Sequence, residues 1–154
     1  MTRSGTAPQS VCTCSRLRRL TRRMTALYDR ELAPTGLRLT QYSLLATLRR
    51  EGSSTGLAVS ELAAAMDMER TTLTRNLRPL VDQGLIAIQA DARDTRVRRV
   101  VLTDKGVSNL GTAKPYWSVA QKYVAETLGP SNVTALHTWI DQVTPAFRVV
   151  PQGD

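Results

Sequence analysis

The 154-residue sequence predicts a mainly α protein with a winged helix-turn-helix at its centre and helices on either side of it. Three observations predict this. Residues 60–103 carry, in order, a short helix pattern SELAAAM, a turn, a longer helix RTTLTRNLRPLVDQGL, and two strand-like runs, IAIQA and RRVVLT, around the Arg-rich tip DARDTR. Helix, turn, helix, hairpin is the order of a winged helix. Outside that block apolar residues recur at helical spacing. Finally, the C-terminal part carries more large apolar residues than a terminal helical pair can bury by itself.

The elements follow from residue chemistry. From Cys14 to Leu32, Leu17, Leu20, Met24, Leu27 and Tyr28 fall at helical spacing, and Arg16, Arg18, Arg19, Arg22, Arg23 and Arg30 fill most of the remainder. Pro34 and Gly36 break this helix. Thr40 starts a second, QYSLLATLRR, which Gly52 and the polar SSTG end. Ser60 is suited to cap the short helix that ends near Met66, and Asp67 to cap the next. In that next helix Leu73, Leu77, Leu80 and Val81 make one apolar stripe. Arg75 sits opposite it, with Thr71, Thr72 and Arg78 flanking. Pro79 removes the backbone bond to the carbonyl of Arg75, which predicts a slight bend, and Gly84 ends the helix.

Leu85 to Ala90 and Arg98 to Thr103 read as short strands, with the wing between them. Thr103 is placed to cap a long helix over roughly 104–127, with a kink expected at Pro115. Gly129 and Pro130 punctuate it, and a last helix is expected from about Ser131 to Thr144. Disorder is expected for residues 1–10 and for the tail after Pro145. Tyr116, Trp117, Tyr123, Leu128, Leu136, Trp139 and Phe147 are many large apolar groups for a terminal pair of helices, and a second copy of the chain is the economical cover for them. One compact domain is thus expected, with 11–52 and 104–148 as a helical dimerisation region and 53–103 as a separate lobe.

Charge points to what that lobe meets. The chain carries a formal net charge of +8. Residues 1–103 hold 17 Lys/Arg against 9 Asp/Glu, whereas residues 104–154 hold 4 against 4. A polyanion is the partner this distribution predicts for the first two-thirds. Arg outnumbers Lys by 18 to 3, and the planar guanidinium fork suits phosphate and guanine, although a coding bias gives the same composition. No apolar run approaches the ~20 residues that span a bilayer, and the basic N-terminus lacks the apolar core of a signal peptide. A cytoplasmic protein with no membrane partner is expected, its Cys12 and Cys14 reduced at rest.

The run DARDTRVRRVVLTDKG (Asp91 to Gly106), with its Asp-x-Arg followed by Leu-Thr and Gly, and the stretch LAPTGLRLTQYSLL (Leu32 to Leu45) resemble the multiple-antibiotic-resistance regulator (MarR) family of winged-helix repressors. The resemblance covers about residues 14–145. It implies a homodimer with interlocked terminal helices, a pseudo-palindromic double-stranded DNA operator, and release from DNA when a ligand or an oxidant acts.

Individual residues carry that reading to different extents. Arg75 is the candidate for a guanine contact, because Arg bridges O6 and N7. Thr71 and Thr72 share its face and suit phosphate oxygens or a thymine methyl; Arg70 and Arg78 are assigned to phosphate. The bland reading of all five is a solvated helix face. Arg96 matches the wing position that the family inserts into the minor groove, where the negative potential is enhanced. Its competing reading is an Arg paired with Asp91 or Asp94 that holds the hairpin. For Arg93 both readings stand. Arg98 and Arg99 are assigned to phosphate or solvent.

Nothing in the sequence resembles a nucleophile elbow, a P-loop or a dinucleotide fingerprint, so neither an enzyme nor a cofactor is expected. His137 stands alone, and the Cys-x-Cys pair lacks the second ligand pair of a zinc site, so no metal is expected. The expected function is a dimeric, sequence-specific DNA-binding transcriptional regulator, acting as a repressor. A nonspecific architectural DNA-binding protein is the alternative, and a protein–protein module is a third class that the polar Thr/Arg face disfavours. Two signals compete: a small aromatic ligand, or oxidation. Cys14 stands before Gln41 and Tyr42 at a spacing similar to that of the sensing cysteine in the family's hydroperoxide branch, and Tyr28 falls where that branch carries a tyrosine partner. Arg18 and Leu39 depart from its further tyrosines. If Cys12 and Cys14 are both helical they point to nearly opposite sides, which favours an intersubunit disulfide over a bond between them. Inert thiols are the competing reading.

Overall fold

The computed structural model describes residues 12–52 and 54–147. Helix α1 (Thr13–Leu32) holds neither Gly nor Pro and ends where Pro34 enters a 3-10 turn, Ala33–Thr35. Gly36 follows at φ 74°, a left-handed conformation that glycine adopts without strain. Helix α2 (Leu39–Glu51) starts one residue before Thr40, the expected start. Arg38 precedes the helix and donates its N–H to Gln41 Oε1 at 2.9 Å, while Leu39 N–H donates to Asp29 Oδ1 at 2.7 Å. A carboxylate of α1 thus satisfies a donor that the start of α2 cannot satisfy for itself.

Residues Leu57–Ala58 form a strand, β1, that no sequence period revealed, since two residues define none. Helix α3 (Val59–Ala65) begins directly after it, so Ala58 rather than Ser60 is the cap, and Glu61 Oε2 reaches back to accept Ala58 N–H at 2.7 Å. Ser60 lies inside the helix. The turn to α4 (Arg70–Asp82) places Asp67 at φ 49°, leaving Glu69, not Asp67, at the cap position. Leu73, Leu77 and Leu80 are buried as the stripe predicts, but Val81 stands 38% exposed, at the margin of the buried face. At its end Gly84 N–H bonds Val81 O and Leu85 N–H bonds Leu80 O, the paired closure that a left-handed glycine permits.

Strands β2 (Ile86–Ala90) and β3 (Arg98–Leu102) form the antiparallel hairpin, and β1 pairs with the other edge of β3, giving the order β1-β3-β2. The register sets Leu57 against Val100, Ala58 against Arg99, and Ile88 against Val100 from the other side. Thr103 caps α5 (Asp104–Leu128) as the sequence predicts, its Oγ1 accepting Gly106 N–H at 3.0 Å, and the helix continues across Pro115. Helix α6 (Pro130–Val143) opens on a proline, whose missing N–H needs no partner there.

The described chain divides into two compact units within α5, after Trp117. The core of the first joins Leu44 and Leu45 of α2, Leu62 of α3, the three leucines of α4, and Val100 of β3. Tyr42 stacks on Trp117 at its edge, ring centroids 5.7 Å apart. In the second unit α6 buries no residue, and Val119, Tyr123, Trp139, Ile140 and Phe147 stand exposed. Residues 1–10, expected to be disordered, lie outside the described residues, as does the tail from 148 on. Ala146 and Phe147, which the sequence reading placed in that tail, instead belong to a 3-10 turn, Thr144–Phe147.

Candidate nucleic-acid interface

Burial of Leu73, Leu77 and Leu80 fixes the rotation of α4 and leaves Arg70, Thr71, Thr72, Arg75 and Arg78 exposed together. Among the described residues none of these five side chains is engaged in a hydrogen bond or ion pair. Their neighbours differ. Thr74 Oγ1 donates to Arg70 O at 2.8 Å and Asn76 Nδ2 to Thr72 O at 2.9 Å, so both turn back on the helix's own carbonyls. What α4 presents outward is a set of unspent donors: three guanidinium groups and two hydroxyls. The helix N-terminus adds its own partial positive charge beside Thr71 and Thr72. The far end of α4 is fastened, with Lys105 Nζ donating to Gln83 O at 2.7 Å and Thr103 Oγ1 to Gly84 O at 2.7 Å.

The wing is organised by Asp91. Its Oδ1 accepts the N–H of Arg93 at 2.8 Å and of Asp94 at 3.2 Å, and its Oδ2 accepts from Arg99 Nε. The Arg99 side chain beside it, helped by the two N–H groups, holds the Asp91 carboxyl down at about 2. Asp94 Oδ1 accepts Arg96 N–H at 3.0 Å, and Val97 N–H donates to Asp94 O at 2.9 Å, which closes the tip. These contacts use the backbone of Arg93 and Arg96, not their guanidinium groups. Both side chains, and that of Arg98, are exposed and form no ion pair among the described residues.

That outcome separates the competing readings. Arg99, assigned from sequence to phosphate or solvent, is the wing's internal partner: it pairs with Asp91, donates from Nη1 to Gly56 O at 3.0 Å, and stands 3.9 Å from Glu61 Oε2. Four similar arginines in seven residues gave no signal of which one turns inward. The register does, because in β3 Arg99 lies opposite Ala58 of β1 whereas Arg98 does not. Gly56, which supplies the carbonyl, was also missed.

Cys12 precedes α1 as its cap residue with extended backbone (φ −71°, ψ 115°), and Cys14 lies in the first turn; both are exposed and neither is in a disulfide. The premise that both cysteines are helical therefore fails. Hydrogen bonding from Ser15 lowers the Cys12 thiol below its ordinary value. Tyr28 lies buried farther along α1, and burial pushes its phenol up. His137 is exposed on α6. Among the described residues no three His, Cys, Asp or Glu side chains are grouped to hold a metal ion, and no helix is long and apolar enough to cross a membrane.

The family model described as "MarR family" matches residues 35–97, the span from the end of α1's turn to the wing. The M. tuberculosis transcriptional regulator MosR is 37% identical, the similarity covering 89% of this chain and 98% of that one with a TM-score of 0.74. For the structure of MosR in complex with DNA the values are 38%, 90%, 99% and 0.76. The HTH-type transcriptional regulator PetP of Rhodobacter capsulatus is 29% identical over 94 residues, 60% of this chain, and the match spans only 57% of PetP's own length. A likeness at this identity over nearly the whole of a solved regulator, with the helix-turn-helix and wing inside the matched span, places the chain in the MarR family, whose members are transcriptional regulators and not enzymes.

Proposed function

We propose that the protein is a dimeric, sequence-specific DNA-binding transcriptional regulator, a cytoplasmic repressor that a small ligand or cysteine oxidation releases from its operator. One observation carries the reading: among the described residues the guanidinium groups of α4 and of the wing tip have no partner, whereas the one arginine the wing needs for its own shape is paired. A protein that used these charges only for solubility has no reason to sort them in this way. The complex of MosR with DNA supports the same role for this chain. Arg75 then reads a base edge, Arg70, Arg78 and Arg98 hold phosphates, Thr71 and Thr72 contact the backbone or a thymine methyl, and Arg96, with Arg93 beside it, enters the minor groove.

Selection from a random duplex pool tests this. A pseudo-palindrome with half-sites about one helical turn apart is expected to emerge. Arg75→Ala should weaken binding to it by roughly 1–3 kcal/mol and relax one position per half-site. Equal affinity for selected and random duplexes would favour the architectural alternative instead.

For the signal, the exposure of Cys12 and Cys14 supports oxidation, and at Cys12 hydrogen bonding also lowers the thiol, which favours the reactive thiolate there. Cys14 and Tyr28 are about 21 Å apart along one helix, so they meet only if the partner subunit brings them together. Non-reducing electrophoresis and operator binding before and after mild peroxide, on wild type, Cys12→Ser and Cys14→Ser, distinguish an intersubunit from an intrachain product. Unchanged mobility and affinity would leave a small aromatic ligand as the effector.

A further inference from the structure

Asp91, Arg99, Gly56 and Glu61 form a connected cluster that hairpin formation alone does not require. Asp91 holds the wing tip through the N–H groups of Arg93 and Asp94. Arg99 links that carboxylate to the carbonyl of Gly56, just before β1. Glu61, 3.9 Å from Arg99, is the same carboxylate that accepts Ala58 N–H at the start of α3. Gly56 is itself fixed, since at φ 74° a Cβ there would lie 2.1 Å from Val100 O. The cluster therefore joins the wing tip to the helix-turn-helix through a path independent of the β2–β3 ladder.

We propose that Asp91 and Arg99 are positioning residues, a latch that sets the wing's pose relative to the helix-turn-helix and so delivers Arg96 to DNA at a fixed reach from Arg75. The inference rests on the DNA-binding reading above. Its physical content is preorganisation. The tip from Asp91 to Val97 has only two backbone hydrogen bonds of its own, Asp91 N–H to Val97 O and Val97 N–H to Asp94 O. Without the latch the ordering of those residues would fall on the binding step. The guanidinium fork suits the task because Nε and Nη1 address two acceptors in different directions, which one ammonium group does not. Neither latch residue needs to touch DNA.

The sign of one substitution decides the matter. Asp91→Asn removes a negative charge from a DNA-facing lobe, so electrostatics alone calls for tighter binding. The latch calls for the opposite on the operator. With the full-length protein, fluorescence anisotropy should show operator affinity lowered by about tenfold, while affinity for a random duplex of equal length stays level or rises. Arg99→Lys keeps the charge and should lose operator affinity to a similar extent. In an Arg96→Ala background neither change should weaken binding further, because the contact they position is already gone. Thermal melting checks that each variant is folded, and either folded variant is sufficient for the test. Operator binding at or above the wild-type level in a folded variant, or losses that add in full to that of Arg96→Ala, overturns the latch. If instead neither Arg75→Ala nor Arg96→Ala weakens operator binding, the DNA-contact reading fails, and the latch with it.

Discussion

Three donors converge on the two oxygens of Asp91, and that has a consequence in pH. The carboxyl titrates at about 2 instead of the ordinary 3.8, held down first by the Arg99 side chain and then by the N–H groups of Arg93 and Asp94. A carboxylate whose folded pKa is depressed stabilises the native state above its unfolded value, and that contribution is lost as pH falls through the folded one. The stabilisation that the wing's internal ties contribute is therefore complete from neutral pH down to about 4 and is lost between about 3.8 and about 2, while the ties themselves break as pH falls through about 2. Carbon-13 NMR of the Asp91 carboxyl should give a midpoint near 2; a midpoint at the ordinary aspartate value would mean that Arg99 does not hold it in solution. This is also the scale at which sequence reading reached its limit. It placed Arg75 and the threonines of α4 on the exposed side because helical period alone sets which side of α4 they occupy, and burial of Leu73, Leu77 and Leu80 agrees. It did not separate Arg99 from Arg93, Arg96 and Arg98, because all are the same residue type within one hairpin. The difference between them lies in β1, where Ala58 stands opposite Arg99 from 41 residues earlier in the chain.

Elements were legible to within a residue or two wherever a period ran long enough. α1, α2, α4, α5, α6 and both strands of the wing were all anticipated, and Thr103 as the cap of α5 was read correctly. The residues that serve the starts of α2 and α3 were not legible. Ser60 and Asp67 are suitable residue types near suitable positions, yet Ala58 and Glu69 precede α3 and α4; Asp29 and Gln41 serve the start of α2, and Glu61 that of α3. Tertiary context overrides local preference only at Leu39, whose N–H is taken by Asp29 of α1; Gln41 and Glu61 reach back three residues within their own helices. The missed strand β1 offers an element-level prediction. Gly56 must hold both a positive φ and a close approach to Val100 O, so Gly56→Ala forces either β1 or β3 to move. A loss of roughly 1–3 kcal/mol is expected for the strained backbone alone. Denaturant unfolding measures it, and stability within a few tenths of wild type would show that β1 carries little of the fold. Gly36, also at φ 74°, has nothing within 4 Å of the built Cβ, so Gly36→Ala is the control for φ without the clash.

At the scale of the whole molecule, exposed apolar surface decides the assembly. Leu17 and Leu20 on α1 are each nearly half exposed, and in the second unit Tyr123, Trp139 and Phe147 are more than that or equal to it. Isolated apolar residues on a surface need no explanation, but among the described residues α6 buries none of its own side chains. Its apolar side has to be covered for the helix to persist, because most helical stability in proteins comes from packing such a side. The dimer proposed above would supply that cover and would make association part of folding. Sedimentation at micromolar concentration should then show about 34 kDa, twice the 17.0 kDa of one chain. The melting temperature should rise with protein concentration, since mass action favours whatever is folded only as a pair. Leu20→Asp on α1 and Trp139→Asp on α6 should each lower that temperature and the dimer fraction together, because each places a charge where apolar surface is meant to be covered. A 17.0 kDa species whose melting temperature ignores concentration would separate folding from assembly. The operator would then have to be read by one recognition helix at a time, and the pseudo-palindrome would lose its structural basis.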